Sequence, residues 1–96
     1  MIVRVTPRAV ADLEGIGEYL AGFNPRAALA LMDDFTGRWS QLARHPHSGP
    51  SRDDLGTGIR CLVIGQYLVF YRIGPDEVTI LRVLHGKREI GGEEFV

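Results

Sequence analysis

The chain has 96 residues, with 11 Lys and Arg against 12 Asp and Glu and a formal net charge of −1, which fits one domain spanning residues 1–96. Its 45% hydrophobic and 24% charged residues are typical of a globular protein and exclude a disordered chain. We expect no membrane span, no signal peptide and, with one cysteine, a cytoplasmic location. Because proteins that bind nucleic-acid phosphates usually carry a basic surplus, we expect no direct nucleic-acid binding.

The first elements are a short strand and a helix. Residues 2–5 (Ile-Val-Arg-Val) have the composition of a strand. Thr6-Pro7 then combines an N-cap residue with proline at the first helical position, and apolar residues recur at helical spacing up to a stop signal at Gly22. The acidic residues of this helix are expected mostly on its other faces.

A second helix is predicted directly after the first. Asn24-Pro25 repeats the start signal, and the helix should run to about Arg44 because Pro46 cannot continue it. With only a few residues between them, the two helices should form an antiparallel hairpin.

The second half of the chain predicts a three-stranded meander. A polar loop at 45–58 precedes it, and its turns are the two residues 65–66 and the four residues 74–77. The element order is therefore β-α-α-β-β-β, an α+β fold with a helical hairpin packed on one face of a mostly antiparallel sheet. The strand candidates are 59–64, 67–73 and 78–85.

Turn lengths fix the register of the meander, and the register fixes which residues share a face. We name one predicted face the tyrosine face; it holds Arg60, Leu62, Ile64, Tyr67, Val69, Tyr71, Ile80, Arg82 and Leu84. The opposite face is more uniformly apolar at its centre and is expected to pack on the helices; it holds Ile59, Cys61, Val63, Leu68, Phe70, Arg72, Thr79, Leu81, Val83 and His85. We therefore expect the tyrosine face to be exposed and to bind a partner, since aromatic residues and arginine dominate interface energetics.

Several segments, in this order and spacing, resemble the ParE branch of the RelE/ParE toxin superfamily. The resemblance extends over residues 3–89. The segments are T-P-R-A at 6–9, N-P-R-A-A at 24–28, L-A-R-H-P-H-S-G at 42–49, G-I-R at 58–60, Y-L-V-F-Y-R at 67–72 and I-L-R-V-L-H-G-K-R at 80–88.

The resemblance implies a toxin of a type II toxin–antitoxin system with the RelE/ParE fold. ParE-type members are neutralised by a ParD-type antitoxin and poison DNA gyrase by protein–protein contact, stabilising plasmids or chromosomal regions. The expected target-binding residues are Arg60, Tyr71, Arg82, Lys87 and Arg88. The expected antitoxin-binding residues are Tyr19, Leu62, Tyr67, Val69 and Leu84.

RelE-type relatives are instead ribosome-dependent mRNA endonucleases, and this alternative stays open. Its catalytic candidates are Arg60, Arg82 and His85, because such an RNase needs phosphate-binding cations and a group that moves protons. The predicted register places His85 on the face opposite the two arginines, which favours the gyrase inhibitor. This chain departs from the family's C-terminal motif at Glu89, and the resemblance leaves the role of that residue open.

Ordinary structural roles are the alternative for each singled-out residue. Arg60 and Arg82 can lie as solvated arginines over apolar neighbours, and His85 can be a hydrogen-bonding residue at a strand end. His45 and His47 flank a proline without an evident third ligand, so no metal is expected. Cys61 is expected in the core, and the sequence predicts no cofactor.

Overall fold

The computed structural model describes residues 1–95; Val96, the last residue of the predicted domain 1–96, lies outside them. Two helices pack on one four-stranded sheet, and two short 3-10 turns cover residues 46–48 and 92–95. The α+β fold and the element order are as predicted. The strands and helices are β1 (Ile2–Val5), α1 (Pro7–Ala21), α2 (Pro25–Arg44), β2 (Arg60–Ile64), β3 (Tyr67–Ile73) and β4 (Glu77–His85).

Both helix starts follow the predicted capping chemistry. The Thr6 hydroxyl accepts a hydrogen bond from the Ala9 N–H at 3.2 Å, and the Asn24 side chain accepts one from the Ala27 N–H at 3.1 Å. Each cap satisfies one N–H that the first helical turn leaves unpaired. The helices form the expected antiparallel hairpin, whose connection is the three residues between Ala21 and Pro25.

The sheet has the strand order β1-β4-β3-β2. β1 pairs in parallel with β4, and the other two pairs are antiparallel, so the sheet is mostly antiparallel as expected. The predicted two-residue turn is confirmed by the pairing of Ile64 with Tyr67. Its first residue, Gly65, has φ of 59°, a left-handed conformation that glycine adopts without steric cost.

The predicted register between β3 and β4 is correct near their turn and wrong beyond it. Tyr71 pairs with Ile80 as expected, but a bulge follows, with Leu81 as the extra residue of β4. Because the side-chain period of a strand is two, one extra residue reverses the faces of everything after it. Beyond the bulge the pairs are Phe70–Arg82, Val69–Val83, Leu68–Leu84 and Tyr67–His85.

The helices cover the tyrosine face, so the prediction that this face is exposed is wrong. Val69, Tyr71 and Ile80 are 0% exposed beneath the helices, with Phe35 and Leu42 of α2 beside them. Apolar residues of both helices line this core. Because two of the predicted target- or antitoxin-binding residues, Tyr71 and Val69, are completely buried, they are not on a surface that a partner contacts.

The opposite face carries a second, smaller core, where the sequence predicts the helices instead. It consists of the buried residues Leu55, Ile59, Cys61, Phe70 and Leu84. The loop after α2 supplies Leu55, and the C-terminal segment adds Ile90 and Phe95. Two irregular segments of the chain therefore cover this face.

Candidate functional site

A groove of about 430 Å³ lies between α1 and the end of β4. We name it the α1–β4 groove. It brings together three of the predicted antitoxin-binding residues, Tyr19, Tyr67 and Leu84. Its lining residues are Ala11, Asp12, Gly15, Ile16, Tyr19, Tyr67, Val83, Leu84, His85 and Arg88.

The helical wall of the groove is low because it is formed by small residues. Ala11 and Gly15 lie four positions apart and so share one side of α1. A Cβ atom added at Gly15 would meet no other atom within 4 Å. A second polypeptide can therefore approach the α1 backbone closely along this wall.

One end of the groove carries an exposed aromatic pair. Tyr19 is 68% exposed and Phe23 is 74% exposed, and their rings meet edge to face with centroids 5.1 Å apart. At the β4 side, Tyr67 packs edge to face on His85 at 5.4 Å. Exposed aromatic side chains of this kind are enriched among the residues that dominate binding energy at interfaces.

The other wall of the groove is the part of β4 that pairs with no strand on this side, where side chains from the start of α1 bond its backbone instead. β1 pairs with β4 only as far as Ile80, so the following backbone groups need other partners. The Thr6 hydroxyl donates to the Leu81 carbonyl at 3.2 Å, and the Val83 N–H donates to the Asp12 carboxylate at 3.0 Å. The carboxylate therefore fixes the distance between α1 and β4 that sets the width of the groove.

An ion cluster lies beside the groove. The Arg82 guanidinium donates to both Asp12 oxygens at 2.7 and 2.9 Å and to Glu94 at 2.8 Å. Arg88 donates to the other Glu94 oxygen at 2.6 Å. The hydrogen bonds to Asp12 raise the pKa of Arg82 above its ordinary value, against the opposing effect of burial. Arg82 is thus a permanent cation, 8% exposed, already held by two carboxylates.

Arg60 lies on the opposite face from Arg82 and anchors a loop. It donates to the Gly49 carbonyl at 2.7 Å and to the His47 carbonyl at 3.3 Å. The Tyr71 hydroxyl supports the same loop by donating to the Pro46 carbonyl at 2.7 Å. The prediction that Arg60 and Arg82 share a face is therefore wrong, because the bulge in β4 reverses the face of Arg82.

His85 lies on the same face of the sheet as Arg60, so the prediction that it lies opposite both arginines is wrong for Arg60, but the two residues are at different ends of the sheet. Arg60 is opposite Tyr71 and His85 is opposite Tyr67, a separation of roughly 13 Å along β3 at about 3.3 Å per residue. Both ring nitrogens of His85 have partners: Nε2 lies 3.2 Å from Gln66 Oε1, and Nδ1 accepts from the Lys87 N–H at 3.1 Å. The three RNase candidates therefore do not converge on one phosphate.

The remaining predicted residues divide between the surface and the cores. Lys87 is exposed and lines a different hollow from Arg88, beside Val63 and Leu68. Leu62 is buried under the helices and is 6% exposed. Leu84 is 3% exposed, because the bulge turns it toward the second core, so only its edge reaches the groove.

No metal or nucleophile chemistry emerges from the part of the chain that the structure describes. Residues 1–95 contain no cluster of three or more metal-ligating side chains. Cys61 is buried, as predicted, and burial raises the pKa of its thiol, which disfavours the reactive thiolate. None of the helices within residues 1–95 is long and apolar enough to cross a membrane.

Comparison with known proteins agrees with this architecture. The family model described as "ParE toxin of type II toxin-antitoxin system, parDE" matches residues 3–90. The chain belongs to this family. It is accordingly a toxin of a type II toxin–antitoxin system within the RelE/ParE superfamily.

Relatives of this ParE-family toxin carry both superfamily names. Toxin ParE1 of Caulobacter vibrioides is 34% identical over 83 residues, 85% of each chain. Toxin RelE2 of the same organism is 31% identical over 83 residues, 86% of this chain and 92% of the relative. A solved structure described as "Chromosomal ParDE TA system from P. aeruginosa" superposes with a TM-score of 0.76 at 25% identity, covering 88% of this chain and 95% of that chain.

The Asp12 carboxylate and a row of small residues shape the groove of the toxin, and Glu94 completes the ion cluster beside it, without being predicted from the sequence. The sequence predicts Asp12 on a face of α1 other than its apolar face, but the Asp12 carboxylate accepts a hydrogen bond from β4. Glu94 belongs to a segment without a recognisable pattern. The four-residue spacing of Ala11, Gly15 and Tyr19 is the available signal, since it places all three on one side of α1.

Proposed function

We propose that this toxin is neutralised by a ParD-like antitoxin that docks a helix in the α1–β4 groove, and that the free toxin inhibits DNA gyrase by protein contact in the cytoplasm. The observation that carries the antitoxin proposal is the groove itself. It combines an apolar floor, a wall of small residues and an exposed aromatic pair at one end.

A helix is the occupant that fits this shape and charge. The small side chains of Ala11 and Gly15 allow close approach of a second helix, as small residues do wherever helices pack tightly. Arg88 lines the groove with its side chain 49% exposed, so an acidic residue of the antitoxin can pair with it. The similar P. aeruginosa structure is described as a ParDE system, which supports an antitoxin of the ParD type.

A non-catalytic action on the target is supported by the arrangement of the RNase candidates. Arg60 and Arg82 donate to groups of their own chain, and both nitrogens of His85 have partners. General acid–base catalysis needs such groups within hydrogen-bond reach of one substrate. Lys87 is exposed, and Arg88 keeps 49% of its side chain exposed although it pairs with Glu94, so these two cations are the parts of the predicted target surface that a protein such as gyrase can reach.

RNA cleavage is the second candidate because a relative named Toxin RelE2 is 31% identical. Two assays on the purified toxin separate the candidates. We expect inhibition of gyrase supercoiling and intact ribosome-bound mRNA. Cleaved mRNA with unaffected supercoiling would assign the chain to the RNases.

The target surface is tested by substituting both Lys87 and Arg88 with Glu. Unchanged gyrase inhibition in this double variant would remove the two residues from the target surface.

The antitoxin site is tested by filling the groove. Gly15→Phe places a large ring at a position where an added Cβ meets open space, so the toxin should fold and lose antitoxin affinity by roughly 100-fold, as expected for blocking an interface centre. Gly37→Phe is the matched control, because Gly37 lies on α2 with equally open surroundings. Calorimetry with the antitoxin encoded beside the toxin gene measures both affinities, and equal affinities for the two variants would refute the groove as the antitoxin site.

A further inference from the structure

The C-terminal segment carries an unusual concentration of polar contacts for so short a piece of chain. Residues 92–95 form one 3-10 turn, which lies near the start of α1 and the middle of β4. Three arginines meet Glu94 there. Arg82 and Arg88 bind its carboxylate at 2.8 and 2.6 Å, and Arg8 donates to its carbonyl at 3.2 Å.

The charges show what the Glu94 carboxylate does at this place. With the carboxylate present, the cluster holds the three arginines against Asp12 and Glu94, a sum of 3 − 2 = +1. Without it, the same arginines face Asp12 alone, a sum of 3 − 1 = +2. The Glu94 side chain is 13% exposed, and its carboxylate pairs with Arg82 and Arg88. It therefore occupies the position between these two guanidinium groups that an external anion would take.

This segment is attached to the rest of the fold both by the ion pairs of Glu94 and by Ile90 and Phe95, which pack on the second core. The Phe95 ring meets Phe70 edge to face, with centroids 5.1 Å apart. Gly91 precedes the turn and Gly92 is its first residue, where an added Cβ would lie 3.1 Å from the Leu55 carbonyl oxygen. Ionic contacts can be exchanged for equivalent contacts from another chain without leaving buried charges unpaired.

A second hollow gives a partner access to the cluster. It has a volume of about 360 Å³ and separates the C-terminal turn from the first turn of α1. It is lined by Thr6, Pro7, Arg8, Leu81, Arg82, Glu94 and Phe95. A polypeptide entering this hollow meets Arg8 and Arg82 directly beside the Glu94 carboxylate.

We propose that residues 89–95 form a displaceable strap, whose Glu94 carboxylate fills a site formed by Arg82 and Arg88 beside Arg8, and that an acidic segment of a protein partner occupies this site when the strap moves away. The group that fills the site in this chain is a carboxylate held by guanidinium groups, a pairing whose geometry favours carboxylates over uncharged groups. A nucleic acid is the less suitable occupant, because Asp12 stays fixed in the site and the whole chain has a net charge of −1. Arg88 also lines the α1–β4 groove, but the peptide test below uses the toxin alone, so the strap can fail while the antitoxin and gyrase proposals stand.

The test compares Glu94→Gln with Glu93→Gln, since Glu93 is the exposed neighbour of Glu94 in the same turn. The probe is an acetylated tetraglutamate peptide, and the readout is the NMR signal of the Arg82 and Arg88 Nη groups that contact Glu94. We expect Glu94→Gln to bind the peptide roughly 10- to 100-fold more tightly than the unmodified toxin, the factor that corresponds to one competing charge-assisted hydrogen-bonded pair. Glu93→Gln should bind like the unmodified toxin, and adding Arg88→Gln to Glu94→Gln should abolish the gain.

Two results would overturn the strap. One is equal peptide affinity of Glu94→Gln and the unmodified toxin; the other is tighter binding of a single-stranded oligonucleotide of the same charge, which would assign the site to nucleic acid. Hydrogen exchange on Glu94→Gln guards against general unfolding. The backbone N–H of position 94, which donates to the Gly91 carbonyl in the unmodified toxin, should exchange faster while the amides of β3 and β4 keep their protection. Loss of that protection would show that the segment is part of the core.

Discussion

The two faces of the sheet are covered in different ways. On one face, two long amphipathic helices bury Phe35, Val69 and Tyr71 to 1% exposure or less. On the other, a loop and the C-terminal strap cover a core whose members Leu55 and Cys61 keep 8% and 7% exposure. Regular elements thus carry the larger core, and irregular segments fixed by polar contacts complete the smaller one. We expect the first core to determine global stability and the second to open locally.

Phe35→Ala should have the largest effect, because it empties the centre of the helix-covered core. Phe35 is 1% exposed and contacts the rings of Trp39 and Tyr67 at centroid distances of 5.9 and 6.1 Å. Truncation of a buried phenylalanine lowers the free energy of unfolding by about 3–5 kcal/mol. Urea denaturation measures the loss. Leu29→Ala, at a 69% exposed position of the same helix, should change stability little, and similar losses for both variants would contradict the assignment of the main core.

Asp12→Ala should have the second-largest effect on stability, because Asp12 lies where α1 meets β4 and the ion pairs of the C-terminal strap. It leaves the Val83 N–H without its partner and removes two of the hydrogen bonds of Arg82. Breaking a mostly buried pair of this kind should lower the free energy of unfolding by about 2–4 kcal/mol. Glu14→Ala, at an exposed position of the same helix, is the control. If the two variants were equally stable, Asp12 would not connect α1 to β4.

The fold follows from local signals that the sequence displays directly. The caps at Thr6 and Asn24, and the two-residue turn at Gly65, each specify one conformation through short-range chemistry. The bulge in β4 has no such signal, because Leu81 is an ordinary strand residue. That single extra residue reverses the faces of Arg82 and everything after it, which is why the register argument fails beyond the turn.

The site is less predictable than the fold because it depends on contacts between distant parts of the chain. The sequence singles out Tyr19, Tyr67 and Leu84, which meet in the α1–β4 groove. It also indicates the wrong face for the helices, because both faces of the sheet are apolar and composition alone does not separate them. Asp12 and Glu94 lie 70 and 12 positions from Arg82, and no local pattern indicates that they meet.

Tyr71→Phe should have a moderate effect that isolates one polar contact inside the main core. The Tyr71 hydroxyl donates to the Pro46 carbonyl at 2.7 Å and accepts from the Gly49 N–H at 2.9 Å. Its removal leaves a buried N–H unpaired and should lower the free energy of unfolding by about 1–3 kcal/mol. Tyr67→Phe, in the half-buried groove, should cost less. A larger loss for Tyr67→Phe would contradict the role given to the Tyr71 hydroxyl.

Phe95→Ala should have the smallest effect on global stability and the clearest local one. Phe95 packs edge to face on Phe70, and its loss removes an aromatic contact of about 1 kcal/mol. Because this side chain belongs to the strap rather than to the main core, the urea midpoint should fall slightly while the Glu94 amide exchanges much faster. The same exchange measurement on Phe35→Ala should show the opposite order, with the amides of β3 and β4 losing protection before the amides of the strap. Equal loss of protection across the sheet in Phe95→Ala would mean that the two faces open together, so that the strap and the second core unfold only with the whole domain.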